Sequence, residues 1–278
     1  MMKCPVRNIQ KQTFKGGLMK HYIVCNWKMS PSSFAKTKVL VAQYNKVLKP
    51  SKKAKIGNEV DIVICPPFLY FQYIDEKRNK HLKLGAQNVF WQGKGPYTGQ
   101  ISAAMVKEFG AGFVIVGHTE LRRLGDTEEM VFLKIREVLK QGLTPIVCVG
   151  YSDWLKEVRN LITNFSAEEI NKMMIAYEPR EAIGSETALP AQKVAHVTYT
   201  IKKLIYKRFK RKRFLGIVGI GSQKELIPKP PLLYGGGVTA ENFMSYINEG
   251  GVQGFMVGRE SLKPDSIAKM SQKLEQSS

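Results

Sequence analysis

The sequence predicts an α/β fold, a (β/α)8 barrel, from three observations. Eight short apolar runs are spread along the chain, helical patterns separate them, and polar residues stand just past the C-terminal end of several runs. Each run has the length of a buried strand. Their near-continuous apolar character suits a parallel sheet covered on both faces rather than an antiparallel sheet wetted on one. Eight strand–helix units in about 250 residues is the repeat of a closed α/β barrel. The structural alternative is a doubly wound open sheet. That fold would carry a glycine-rich fingerprint after its first strand, and "CNWKMSPSS" is not one.

In chain order, the first strand is "HYIVCNW" (21–27), followed by "SPSSFAKTKVLVAQYNKVL", where Ser30 and Pro31 read as the cap-like opening of a helix. "DIVIC" (61–65), "LKLGAQN" (82–88) and "GFVIVGH" (112–118) are the next three strands. The segment "DTEEMVFLKIREVLKQG" has acids in its first turn and ends at Gly142, as the helix dipole and C-cap rules favour. "TPIVCVG" (144–150), "KMMIAYEP" (172–179), "PLLYGGG" (231–237) and "GFMVG" (254–258) complete the eight.

Composition bounds the function. A chain of 278 residues can bury a large core. It has no apolar run near the roughly 20 residues that cross a bilayer, and residues 1–20 hold no secretory apolar stretch. Residues 1–18 are expected to be a disordered extension, with Met19 a second plausible start. Cys4, Cys25, Cys65 and Cys148 are scattered, with no CxxC pair and no Cys/His ligand spacing, so a reduced, cytoplasmic setting and no metal are expected. The formal net charge is +20, and "IKKLIYKRFKRKR" (201–213) carries eight basic residues and no acid. One reading is a patch for nucleic acid or another anionic surface. The other, preferred here because no groove-reading motif accompanies the charges, is a solvated helix end and loop, so a nucleic-acid partner is not expected.

The strand ends carry the chemistry. Asn26 and Lys28, Gln87 and Asn88, His118 and Glu120, Glu178, and glycines 235–237 and 258 all follow a strand. In a closed parallel barrel these ends converge on one face, where sites of this architecture form. Any one alone would read as a loop residue or a satisfied buried group. Together they point to a site.

The motifs "NWKM", "GAQN", "YTGQIS", "VGHTE", "AYEP" and "YGG" resemble, in order and spacing, those of the triosephosphate isomerase family, from about Met19 to the C-terminus. The resemblance implies one TIM-barrel domain over 19–278 and a glycolytic and gluconeogenic isomerase interconverting glyceraldehyde 3-phosphate and dihydroxyacetone phosphate. Such an enzyme removes a proton beside a carbonyl, passes through an enediolate and returns the proton one carbon away. By resemblance, Glu178 is the base and His118 polarises the carbonyl as a neutral imidazole, because "TELRR" starts a helix behind it. Lys28 supplies fixed positive charge, Asn26 orients it, and Glu120 is a second, supporting carboxylate. Cys148 fits a buried position behind the base and is taken as packing. Backbone N–H groups at Gly184, Gly237 and Gly258 would hold the phosphate, with Ser185 and Arg259 beside them. Proton transfer alone needs no metal or organic cofactor. The segment "GKGPYTGQIS" resembles the family's dimer loop, with Thr98 reaching the partner, so a homodimer is expected.

The chain also departs from the family. Arg180-Glu181 replaces Val-Trp after "EP", and Tyr151 replaces a Glu after "CVG", which suggests a Tyr151–Glu181 hydrogen bond or two independent surface changes. The lid is about one residue shorter beyond Ser185. Gly237 replaces a serine, Arg259 a glycine and Leu121 an arginine. Segment 151–172 is short by about ten residues, and a basic insertion is expected near 209–230. Two alternatives remain open: a paralogue acting on a four-carbon ketose phosphate, and a weakly catalytic barrel binding anionic partners through 201–213.

Overall fold

The computed structural model describes residues 20–48, 60–79, 81–180, 188–210 and 227–277. The expected extension 1–18, lid residues Glu181, Gly184 and Ser185, and most of the expected insertion, 211–226, lie outside these residues.

Eight parallel strands close on themselves in chain order. They are β1 His21–Asn26, β2 Val60–Cys65, β3 Leu82–Ala86, β4 Ala111–Val116, β5 Thr144–Val149, β6 Met174–Tyr177, β7 Leu232–Tyr234 and β8 Gly254–Val257. Every expected strand is present; β2 and β4 begin one residue earlier than the quoted runs, and every run but "DIVIC" is trimmed, by one to four residues. β8 pairs with β1 through Tyr22↔Gly254 to Cys25↔Val257, and this closes the cylinder. Gly254 is what allows the approach, because a Cβ there would drive into the Tyr22 carbonyl.

The period of two along each strand divides the core into two parts. Val24, Val63, Cys65, Ile115, Ile146, Cys148, Met174, Ala176, Leu233 and Met256 fill the barrel interior. Alternate residues, such as Ile23, Cys25, Ile62 and Ile64, pack outward under the helices. Gly85 relieves crowding inside, since a Cβ would stand 2.7 Å from Cys65 Sγ and 2.9 Å from Val63 Cγ1.

The helices are α1 Phe34–Val47, α2 Phe71–Lys77, α3 Ala103–Glu108, α4 Thr119–Arg123, α5 Glu128–Lys140, α6 Trp154–Asn164, α7 Ala167–Asn171 and α8 Ala191–Lys210, followed by Phe243–Asn248 and Pro264–Ser277. The first cap corrects the sequence reading. Ser33, not Ser30, caps α1, its Oγ accepting from Lys36 N at 3.3 Å. Thr127 similarly caps α5, and Gly142 follows its end at φ 71°, as expected. Asp126 is thereby released to pair with Lys134 Nζ at 2.8 and 2.6 Å, and Asn88 Oδ1 accepts from the same ammonium at 3.0 Å.

The basic stretch through Lys210 forms the last turns of α8. Ile201, Ile205 and Phe209 are buried, while Lys202, Lys203, Lys207 and Lys210 face outward. An amphipathic helix with cations at its C-terminal end satisfies its own dipole, which favours the solvated-face reading. Among the described residues, no helix is long and apolar enough to cross a membrane.

Candidate active site

The C-terminal ends of β1, β4 and β6 bring four charged or polar groups into a continuous chain. Lys28 Nζ donates to Glu120 Oε1 at 2.6 Å, Glu120 Oε2 lies 3.7 Å from His118 Nδ1, and His118 Nε2 lies 3.4 Å from Glu178 Oε1. Of the five expected catalytic residues, only Asn26 stands outside this chain, and it acts on Lys28 directly: Lys28 N donates to Asn26 Oδ1 at 3.1 Å.

Lys28 has φ 52°, alone among non-glycine described residues in the left-handed region. Such a conformation costs of order 1–3 kcal/mol and persists only where its surroundings impose it. Asn26 holds its N–H, and Gln87 Nε2 donates to Lys28 O at 2.8 Å and to Cys65 O at 2.9 Å. Gln87 was legible as a strand-end residue, but its role as a tie between three strand ends was not.

His118 leaves β4 and precedes α4, and the Glu120 N–H donates to its Nδ1 at 3.2 Å. Nδ1 is therefore an acceptor and Nε2 carries the proton facing Glu178. This modifies the sequence argument. α4 is a single turn, so its macrodipole is small, and one backbone N–H does the work instead. Burial opposes charge on His118, but the Glu178 carboxylate and then Glu120 outweigh burial and raise its pKa above the ordinary histidine range.

Glu178 follows β6, is 2% exposed, and its N–H donates to Val149 O at 2.8 Å. Two glycines make room for it. At Gly150 (φ 120°) a Cβ would meet Glu178 O at 2.5 Å, and at Gly235 a Cβ would meet Glu178 Oε1 at 2.9 Å. Glu178 Oε2 is buried and has no hydrogen-bond partner among the described residues. A buried, unsatisfied carboxylate oxygen is rare in folded proteins and calls for an explanation. Behind it, burial and then the negative charge of Glu178 push the Cys148 thiol well up, so it stays a protonated packing group.

The expected phosphate residues are only partly described. Gly258 precedes a short 3-10 helix, Arg259–Leu262, and a Cβ on it would stand 3.6 Å from Lys28 Cε. This places the loop after β8 against the lysine stem. Gly237 (φ 62°) follows β7, its carbonyl accepting from Asn242 Nδ2 at 2.9 Å. Arg259 is exposed. Tyr151 lies under Arg180, whose guanidinium is 5.7 Å from the ring. The structure thus gives Tyr151 a cation as neighbour, while the expected partner Glu181 lies outside the described residues.

A closed parallel barrel that seats an ammonium, an imidazole with its Nε2 proton inward and a buried carboxylate at one rim defines a class: barrel enzymes that move protons at carbon beside a carbonyl. The triosephosphate isomerase family model matches residues 21–274. The chain is 32% identical to the triosephosphate isomerase of Dictyoglomus thermophilum over 265 residues, covering 90% of this chain and 98% of that protein. It is 32% identical to that of Endomicrobium trichonymphae over 268 residues, covering 91% and 98%. It is 33% identical to that of Caldanaerobacter subterraneus over 263 residues, covering 89% and 97%. The chain belongs to the triosephosphate isomerase family.

Proposed function

We propose that this protein interconverts glyceraldehyde 3-phosphate and dihydroxyacetone phosphate with Glu178 as the base. The observation that carries the roles is the Lys28–Glu120–His118–Glu178 chain, with the Glu178 Oε2 lone pairs unclaimed. Glu178 takes the proton from the carbon beside the carbonyl. His118 Nε2–H donates to the oxygen on which negative charge develops, and the Lys28 ammonium stabilises that charge. Lys28 is already paired with Glu120, so substrate oxygens take over part of a hydrogen-bonded ammonium, not a bare one. Phosphate is held by the loops at Gly237 and Gly258, together with Gly184 and Ser185 of the lid, and Arg259 adds charge at that end.

The family and its named relatives do not favour the four-carbon or anion-binding alternatives. Turnover of three- and four-carbon ketose phosphates by one preparation tests this, with kcat/KM expected to favour the triose phosphate by at least tenfold. Equal or reversed preference overturns the assignment.

A homodimer is the proposed assembly. Met29, Leu69 and Leu124, which follow β1, β2 and β4, are 93%, 89% and 84% exposed, which supports apolar surface being covered by a second copy. Thr98 lies in an exposed loop whose base is pinched by Phe90 N donating to Ile101 O at 2.8 Å and packed by Phe90 against Trp91 and Tyr97. Sedimentation at micromolar concentration is expected to give the dimer mass, and a fully active monomer would contradict it. A cytoplasmic location fits the reduced state of the buried thiols Cys25, Cys65 and Cys148.

A further inference from the structure

We propose that Glu157, a buried carboxylate in the first turn of α6, is a positioning residue for Glu178, acting through the turn Gly150–Ser152. The inference rests on Glu178 being the base.

Glu157 is 6% exposed. Its Oε2 accepts from Gly150 N at 2.7 Å, and its Oε1 accepts from Ser152 N and Ser152 Oγ, each at 3.0 Å. All three donors belong to the turn that leaves β5 at the catalytic rim. An acid in a first helical turn ordinarily answers the helix's own N–H groups. Here Asp153 does that, its Oδ1 accepting from Leu155 N at 3.0 Å and Lys156 N at 3.2 Å. Glu157 reaches back out of the helix instead.

The held turn is the wall against which the base sits. Glu178 N donates to Val149 O at 2.8 Å, immediately before Gly150. The Glu178 carbonyl lies against Gly150 Cα so closely that a Cβ there would be 2.5 Å from the oxygen. The two peptide groups of Glu178 are thus set by the residues on either side of the Val149–Gly150 bond. Tyr151 sits between the two atoms that Glu157 anchors, and its ring carries Arg180, two residues beyond the base. Glu157 therefore fixes the segment that contacts the chain just before and just after the base. Charge-assisted hydrogen bonds to a carboxylate are about twice as strong as neutral ones, so a single side chain suffices for three donors.

The test compares Glu157→Gln, Glu157→Asp and Glu178→Gln in the isomerase assay, with melting curves for each. In Glu157→Gln the amide NH2 faces an N–H donor, so one anchor is lost while length is kept. A displacement of order 1 Å at a reacting group can lower rate about 100-fold. The expected result is a folded variant whose kcat falls about tenfold to a hundredfold with KM changed less than about threefold. Glu157→Asp, which keeps the charge and both acceptors, is expected to recover part of that loss, and it carries the test should Glu157→Gln not fold. In a Glu178→Gln background Glu157→Gln is expected to cause no further loss. A folded Glu157→Gln enzyme with wild-type kcat, or a loss confined to KM, overturns the proposal. Retained turnover in Glu178→Gln alone would instead overturn the assignment of the base.

Discussion

Replacing Gly235 by alanine should slow the enzyme about tenfold without unfolding it. Gly235 is not among the glycines of positive φ, so its backbone suits alanine. The added Cβ, however, would stand 2.9 Å from Glu178 Oε1 and 3.0 Å from its Cγ, where ordinary contact begins at 3.4 Å. The carboxylate must therefore withdraw by about 0.5 Å, the difference between those separations. The Glu178 main chain is held by its N–H to Val149 O at 2.8 Å and packs too close to Gly150 for a Cβ there, so the shift is taken up at the carboxylate itself. About 1 Å of misplacement lowers rate about 100-fold, so half of that predicts roughly tenfold, or about 1.4 kcal/mol of barrier. A coupled isomerase assay should show kcat down by about that factor with KM nearly unchanged, and the melting temperature within a few degrees of wild type. A folded Gly235→Ala variant with full kcat would refute the reasoning, because it would mean that the position of Glu178 is not critical.

Two further outcomes follow from the same geometry. Because the pKa of His118 is raised, its imidazolium forms already at pH values above about 6.5, the ordinary histidine pKa. Its contribution to stability is present in full below that unfolded value and is lost as pH rises through the folded value. Activity should move the opposite way, since protonated Nδ1 would face the Glu120 N–H. As pH falls toward about 6.5, kcat is expected to fall while the contribution of His118 to the melting temperature grows, and neither trend should appear in His118→Gln. The buried Lys134–Asp126 pair predicts about 3–5 kcal/mol of lost stability for Asp126→Ala in chemical denaturation, because the ammonium is left buried without its counter-charge, with Asn88 Oδ1 still accepting from it.

The barrel was legible because buried parallel strands are continuous apolar runs, and the eight runs differ from the observed strands only at their ends. Lys28, His118, Glu120 and Glu178 were legible because each stands just past such a run. The ties between them were not. Glu157 sits inside a helical pattern, where an acid reads as a dipole partner, and its real partners are three donors behind it in the turn. Gln87 donates to carbonyls of residues 28 and 65, a relation that no local pattern carries. Gly150 and Gly235 are explained only by the Glu178 atoms that a side chain would strike. The α1 cap was placed three residues early because Ser30, Ser32 and Ser33 offer the same signal, and only the backbone geometry selects Ser33.

The most direct measurement of the central claim is turnover of dihydroxyacetone phosphate in heavy water, followed by NMR, for wild type and Glu178→Gln. The account predicts solvent deuterium on the carbon protonated in the product for wild type, and a loss of several orders of magnitude in both isomerisation and exchange for Glu178→Gln. Undiminished exchange in that variant would contradict it, because the proton would then be moving through some other group.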